Sequence, residues 1–144
     1  MIKSIKTIDI TEEFVDNYCK LLNQFRISNF SKKNLLEFID NLPANQTIFI
    51  MFDSNNLNLI GTVTVILEKK LINNGATVCH IEDLIIENKY KSKGLGSKLI
   101  KFIIDYSKKE NCYKIILNCS DDLKKFYEKN DFICKNNQMS FYLN

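Results

Sequence analysis

One stretch constrains this chain more than any other. Between Val78 and Lys109 the sequence reads as an apolar strand, a glycine-containing turn and an amphipathic helix in close succession. Val78–Ile86 (V-C-H-I-E-D-L-I-I) has the composition of a central strand, and Lys91-Ser92-Lys93-Gly94-Leu95-Gly96 forms the turn. The helical pattern runs from Ser97 to about Lys109, with Leu99, Ile100, Phe102, Ile103 and Tyr106 as its apolar positions. A helix entered this way leaves its first backbone N–H groups without partners. Those groups and the helix dipole favour an anion such as a phosphate. Gly94 and Gly96 let the backbone approach a ligand, Lys91 and Lys93 add positive charge, and Lys98 follows one turn into the helix. The turn is neither a P-loop nor the dinucleotide fingerprint, because the spacing of its glycines and lysines differs from both. An ordinary strand–helix turn would share much of this chemistry, so the local pattern alone does not name the ligand.

The flanking sequence supplies the rest of one domain, residues 1–144. Ile2–Ile10 alternates apolar and polar residues as a half-buried strand does. Thr11 is a helix cap, and Phe14, Tyr18, Leu21, Leu22 and Phe25 mark one face of the helix that follows. A second helix starts after Ser31, with Leu35, Leu36 and Ile39 inward, and ends before the single proline, Pro43. Thr47–Phe52 and Leu59–Leu67 read as strands, with turn signals at Asp53–Asn56 and at Asn73-Asn74-Gly75. Beyond the long helix, Tyr113–Cys119 is a buried-type strand, Asp121–Asn130 a short helix carrying Leu123, Phe126 and Tyr127, and Met139–Leu143 a last strand that closes the sheet. The order β-α-α-β-β-β-α-β-α-β predicts a mixed sheet flanked by helices, an α/β or α+β domain.

Composition removes several classes of function. At 45% hydrophobic the chain is too apolar to be disordered. A net charge of +3 is mild, and no basic–aromatic array accompanies it, which argues against a nucleic-acid binder. No apolar run approaches the roughly 20 residues of a membrane helix, and the N-terminus lacks a signal-peptide core. The cysteines, Cys19, Cys79, Cys112, Cys119 and Cys134, are odd in number and form no C-x-x-C pair, so reduced thiols in a cytoplasmic compartment are expected. With one histidine, His80, they lack zinc spacing, and no metal is expected. Cys79 and His80 are adjacent on a strand and point to opposite faces, which disfavours a nucleophilic pair. G-x-S-x-G is absent.

The turn then resembles a known family. Gln or Arg, two residues, Gly, one residue, then Gly or Ala, placed after a strand, is the acyl-CoA pyrophosphate loop of the GNAT superfamily of N-acyltransferases. Lys91 stands here where Gln or Arg is usual. The runs Cys79-His80-Ile81-Glu82-Asp83, Cys112–Leu117 and Phe126-Tyr127-Glu128-Lys129 narrow the resemblance to the glucosamine-6-phosphate N-acetyltransferase family, densely from about Glu68 to Phe132. The resemblance implies a GNAT fold with a mixed, mostly antiparallel sheet, acetyl-CoA as cosubstrate, direct attack by the amine in a ternary complex, a homodimer, and a place in UDP-N-acetylglucosamine synthesis.

It also assigns roles. Coenzyme A would lie along Leu84, Ile85 and Ile86, with its pyrophosphate on Lys91, Ser92, Lys93, Gly94, Leu95, Gly96 and Ser97. The N–H near Leu84 would polarise the thioester oxygen, with Leu84 also meeting the acceptor. Tyr127 would touch coenzyme A and protonate the leaving thiolate, and Asn118 would stand with it at the reacting centre against coenzyme A. Glu82 and Asp83, on alternate strand faces, would contact the amino sugar and help remove the amine proton. Lys70, Leu71, Ile72, Asn73, Tyr113 and Lys114 would line the acceptor site, with Lys70 near the sugar phosphate. Besides Lys91, this sequence departs from the family at four positions. Asn73 replaces a His, Asn118 an acid beside the reacting centre, Leu123 an Asn that meets coenzyme A, and Tyr142 an Arg that binds the phosphate across the dimer. A phenol does not replace a bidentate clamp. These substitutions keep open a different small amine or a peptide N-terminus as acceptor, or a catalytically weak acyl-CoA sensor.

Overall fold

The computed structural model describes residues 1–143. Five strands form one sheet in the order β1-β2-β3-β4-β5: β1 Ile2–Ser4, β2 Gln46–Phe52, β3 Leu59–Lys69, β4 Thr77–Ile86 and β5 Cys112–Leu117. Each pairs antiparallel with its neighbour until β4 and β5, which run parallel. The parallel step follows from the connection between them, which contains the long helix that parallel neighbours require. Helices α1 Glu12–Leu22 and α2 Lys32–Asp40 cover one face, and α3 Leu95–Lys109 and α4 Lys124–Glu128 the other.

The sheet is therefore buried on both sides, and each side has its own apolar cluster. Phe14, Tyr18, Leu21, Leu35 and Ile39 meet Ile48, Ile50 and Ile85 on the α1–α2 face. Leu99, Ile100 and Ile103, all fully buried, meet Phe49, Val63, Val65, Cys79 and Ile81 on the α3 face. Helix spacing and capping set the positions. Thr11 accepts from the N–H of Phe14 at 3.1 Å and Ser31 from that of Asn34 at 3.2 Å. Truncating one of the three buried α3 side chains to Ala would cost about 2–5 kcal/mol.

Several elements differ from the sequence reading. The first strand stops at Ser4, where a single 3₁₀ turn, Ile5–Thr7, drives Ile5 into the core. Phe25 lies beyond the end of α1 and is 59% exposed, and Leu36 falls off the buried stripe that Leu35 and Ile39 define at i,i+4. Helix α3 starts at Leu95 rather than Ser97, because Gly94 caps it. The last helix is a 3₁₀ turn, Asp121–Leu123, followed by the short α4. No strand forms at Met139–Leu143, so β5 is the edge strand of the sheet, and Met139, Phe141, Tyr142 and Leu143 are almost fully exposed.

Candidate active site

The site is built where two parallel strands part. The β4–β5 pairing runs from Thr77 opposite Cys112 to Ile81 opposite Leu117, and ends there. Beyond it Glu82–Ile86 pair only with β3, so one backbone edge of β4 faces a gap. Within this stretch Glu82 stands opposite Thr64 and Ile85 opposite Thr62, which leaves Asp83 and Leu84 facing the single residue Val63. That is a β-bulge, and Asp83 adopts a left-handed backbone with φ 49°. Asp is among the residue types that tolerate this region, and such outliers gather at functional sites.

The bulge changes which way the chain faces. Cys79 and Ile81 pack toward α3 before it, Leu84 and Ile86 after it, and Ile85 turns to the α1–α2 cluster. Glu82 shares its face with Thr64, and Asp83 lines the same cleft as Thr62 and Thr64. The two acids therefore do not alternate faces. The extra residue brings both to the α1–α2 side.

The turn into α3 has the backbone an anion seat needs. Ser92 and Gly94 are left-handed, with φ 62° and 73°, and no side chain caps the first N–H groups of the helix. Successive turns of this kind aim N–H groups into one concavity. A Cβ on Gly94 would meet nothing within 4 Å, so glycine answers to the backbone there and the space above it stays open. Gly96 has another reason. A Cβ would come within 3.0 Å of Phe126 Cζ, so this glycine lets α3 pack on α4. Lys91 and Lys93 are exposed, and the Nζ atoms of Lys89 and Lys93 each lie 5.2 Å from the ring centre of Tyr90. Uncapped N–H groups, open space and local positive charge fit a diphosphate. The unpaired edge at Leu84–Ile86 fits a peptide-like arm added as a strand.

Tyr127 is buried in the cluster that holds Ile81, Leu84 and Leu117, at 4.9 Å from the ring of Phe126 and 5.8 Å from that of Phe132. Burial pushes its phenol above the ordinary value, and the Cys119 thiol adds to that. It keeps its proton at neutral pH, the state an acid requires. Burial also pushes the Cys79 thiol up, and its side chain lies on the opposite face from His80. Asn118 and Leu123 are exposed just past β5.

The α1–α2 side carries a cleft of about 370 Å³, lined by Tyr18, Leu22, Phe30, Leu35, Thr64 and Asp83 among others. Tyr18 donates to Thr62 Oγ1 at 3.2 Å, and Thr62 donates in turn to the Phe49 carbonyl at 3.2 Å. Burial raises the Tyr18 phenol, and the nearby Asp83 carboxylate raises it further. On the same sheet face Glu68 holds Lys70 with one carboxylate oxygen and His80 with the other. Lys114 stands opposite Val78, two residues before His80. The structure thus collects Glu82, Asp83, Lys70 and Lys114 on one face. It leaves Leu71 and Ile72 exposed on a turn whose Asn73 and Asn74 are left-handed, and Tyr113 about half exposed under the Lys114 ammonium. Tyr18 and Glu68 were missed as site residues. Their signal was faint: Thr62 and Thr64 two apart in an apolar strand, and Glu68 and Lys70 two apart at its end.

Among the described residues no His, Cys, Asp and Glu group has the arrangement of a metal site, and no helix is long and apolar enough to cross a membrane. A parted parallel strand pair, a bulge at the gap and an uncapped helix behind it define an acyl-CoA N-acyltransferase fold. Residues 15–132 match the acetyltransferase (GNAT) family, and the chain belongs to that family. It is 33% identical over 143 residues to glucosamine 6-phosphate N-acetyltransferase 1 of Dictyostelium discoideum, covering 97% of this chain and 90% of that one. The crystal structure of glucosamine-6-phosphate N-acetyltransferase from Arabidopsis thaliana superposes with a TM-score of 0.84 at 28% identity, covering 100% and 98%. A Trypanosoma brucei acetyltransferase superposes at 0.85 with 25% identity, covering 99% of each.

Proposed function

We propose that this chain transfers the acetyl group of acetyl-CoA to the amine of glucosamine 6-phosphate. The products are N-acetylglucosamine 6-phosphate and CoA, and the reaction serves UDP-N-acetylglucosamine synthesis in the cytoplasm. The observation that carries this reading is the gap after Ile81, with an anion seat at one side and a lysine-bearing acid face at the other. Likeness to glucosamine 6-phosphate N-acetyltransferases along nearly the whole chain supports the acceptor.

Acetyl-CoA, when bound, supplies an activated acyl carbon. The residues of the chain do the rest. The N–H groups from Leu95 to Ser97 seat the diphosphate, and the Leu84–Ile86 edge holds the arm so that the Leu84 N–H points at the carbonyl oxygen, where charge develops. Glu82 and Asp83 orient the amino sugar and accept the amine proton, directly or through water. Asn118 cannot do this, because a carboxamide takes up no proton at neutral pH. As the C–S bond breaks, Tyr127 gives its proton to the sulfur. Lys70 and Lys114 receive the sugar phosphate.

The exposed apolar tail at Met139–Leu143 and the open outer edge of β5 support a homodimer in which this tail packs on the second copy. Light scattering would show twice the chain mass, and removal of residues 138–144 would return the chain to a monomer. A second reading has one observation behind it. The cleft beside Asp83 is largely apolar, lined by Leu22, Phe30, Leu35 and Phe38, which suits an amine with an apolar body. Thiol release with acetyl-CoA and a panel of amines decides between them. Turnover of glucosamine 6-phosphate supports the first, and its absence beside turnover of an apolar amine removes it.

A further inference from the structure

We propose that Glu68 is a positioning residue, which grips Lys70 and His80 at once and so presents the Lys70 ammonium to the phosphate of the acceptor. The inference rests on the acceptor reading above, and it starts from the sheet register. Ile66 stands opposite His80 and Glu68 opposite Val78, so Glu68 and His80 are diagonal neighbours on one face. Lys70 continues that face two residues on, where its N–H still bonds the Ala76 carbonyl at 2.9 Å. From this layout Glu68 Oε1 reaches Lys70 Nζ at 2.5 Å, and Oε2 reaches His80 Nε2 at 2.8 Å. Lys70 and His80 together hold the Glu68 carboxyl below the ordinary carboxylate range.

The arrangement matters because of what Lys70 would be without it. The residue sits at the mouth of a turn whose next residue, Leu71, is fully exposed. A lysine there carries about 2 kcal/mol of rotamer entropy, which a ligand contact would have to overcome. His80 lies on β4, which is paired on both sides at that point. The chain of contacts from His80 through Glu68 to Lys70 therefore ties the loose ammonium to the rigid centre of the sheet. An ammonium has three N–H donors, so one bond to Glu68 leaves two for phosphate oxygens. Removal of the carboxylate frees the lysine and leaves His80 Nε2 without its partner.

The test compares the wild type with Glu68→Ala and Glu68→Gln on glucosamine 6-phosphate and on glucosamine, and reads His80 by nitrogen NMR, where the chain's single histidine gives one ring signal set. For Glu68→Ala, KM for the phosphorylated sugar rises about tenfold. KM for glucosamine and for acetyl-CoA stays within twofold, and the His80 nitrogen signals move. Glu68→Gln, whose amide oxygen still accepts from Lys70, recovers part of the phosphate preference. An unchanged preference in Glu68→Ala, with the His80 signals moved, shows a merely structural contact and overturns the proposal. Failure of the wild type to acetylate glucosamine 6-phosphate overturns the acceptor reading as well, so the two failures are distinguishable.

Discussion

On the α3 side of the β4–β5 gap the candidate site is made of backbone; on the α1–α2 side it is made of side chains. The donor half uses the unpaired edge of Glu82–Ile86, left-handed Ser92 and Gly94, and the uncapped start of α3 at Leu95, all within one continuous run of chain. The acceptor half gathers Tyr18 from α1, Glu68 and Lys70 from the end of β3, His80 and Asp83 from β4, and Lys114 from β5. Backbone recognition constrains side chains little, so the first half tolerates substitution wherever φ permits. The second half depends on particular side chains held by register. Departures from the resembled pattern fall in both halves, at Lys91 and Leu123 on the donor side and at Asn73, Asn118 and Tyr142 on the acceptor side.

The sharpest way to break that contrast is the one side chain on which the donor half depends. Tyr127→Phe keeps the ring and its packing against Phe126 and Phe132 but removes the proton donor. Turnover should fall about 10²-fold or more, with acetyl-CoA affinity by calorimetry unchanged, because the bond to the leaving sulfur is made in the transition state. Burial raises this phenol above its ordinary value, so the proton is held throughout the mildly alkaline range. The wild type should therefore show no loss of turnover from this group between pH 8 and 9.5. Turnover of the Phe variant equal to the wild type would mean that another group supplies the proton.

Two smaller effects should separate cleanly. Lys70→Ala should raise KM for the phosphorylated sugar about tenfold and leave acetyl-CoA binding alone, since a charge-assisted contact is lost on one side only. Gly94→Ala should do the converse. A side chain at φ 73° costs about 1–2 kcal/mol although nothing crowds it, so the anion seat distorts and acetyl-CoA binds about five- to thirtyfold more weakly. If each variant weakened both substrates equally, the two halves would be one coupled site.

How much of this was legible in the sequence follows the same division. The strand, the turn and the helix were readable because each depends on neighbours in sequence, as does the left-handed backbone of Gly94 at the helix start. The bulge at Asp83 was not, because an alternating strand and a bulged one share the same letters until the register against Val63 is known. The packing of Gly96 against Phe126 was not legible, since Phe126 lies thirty residues away. Glu68 was overlooked because its two partners come together only through the β3–β4 pairing. The tail from Met139 has strand composition but no strand beside it within the chain.

The smallest effect concerns that overlooked carboxylate. Lys70 first, and His80 second, hold Glu68 below its ordinary value of 4.5. A carboxyl whose folded value is depressed contributes stability that is complete above the unfolded value and is lost as pH falls through the folded one. Glu68 should thus stabilise the fold at pH 5.5 and cease to do so as the pH drops from about 4.5 toward 3. The group is partly open to water and the contribution is screened, so the expected signal is a small gap in Tm between the wild type and Glu68→Gln that narrows over this interval. A gap of constant size from pH 5.5 to 3 would show that the carboxylate charge is not what Lys70 and His80 respond to, and would leave the acceptor half held by shape alone.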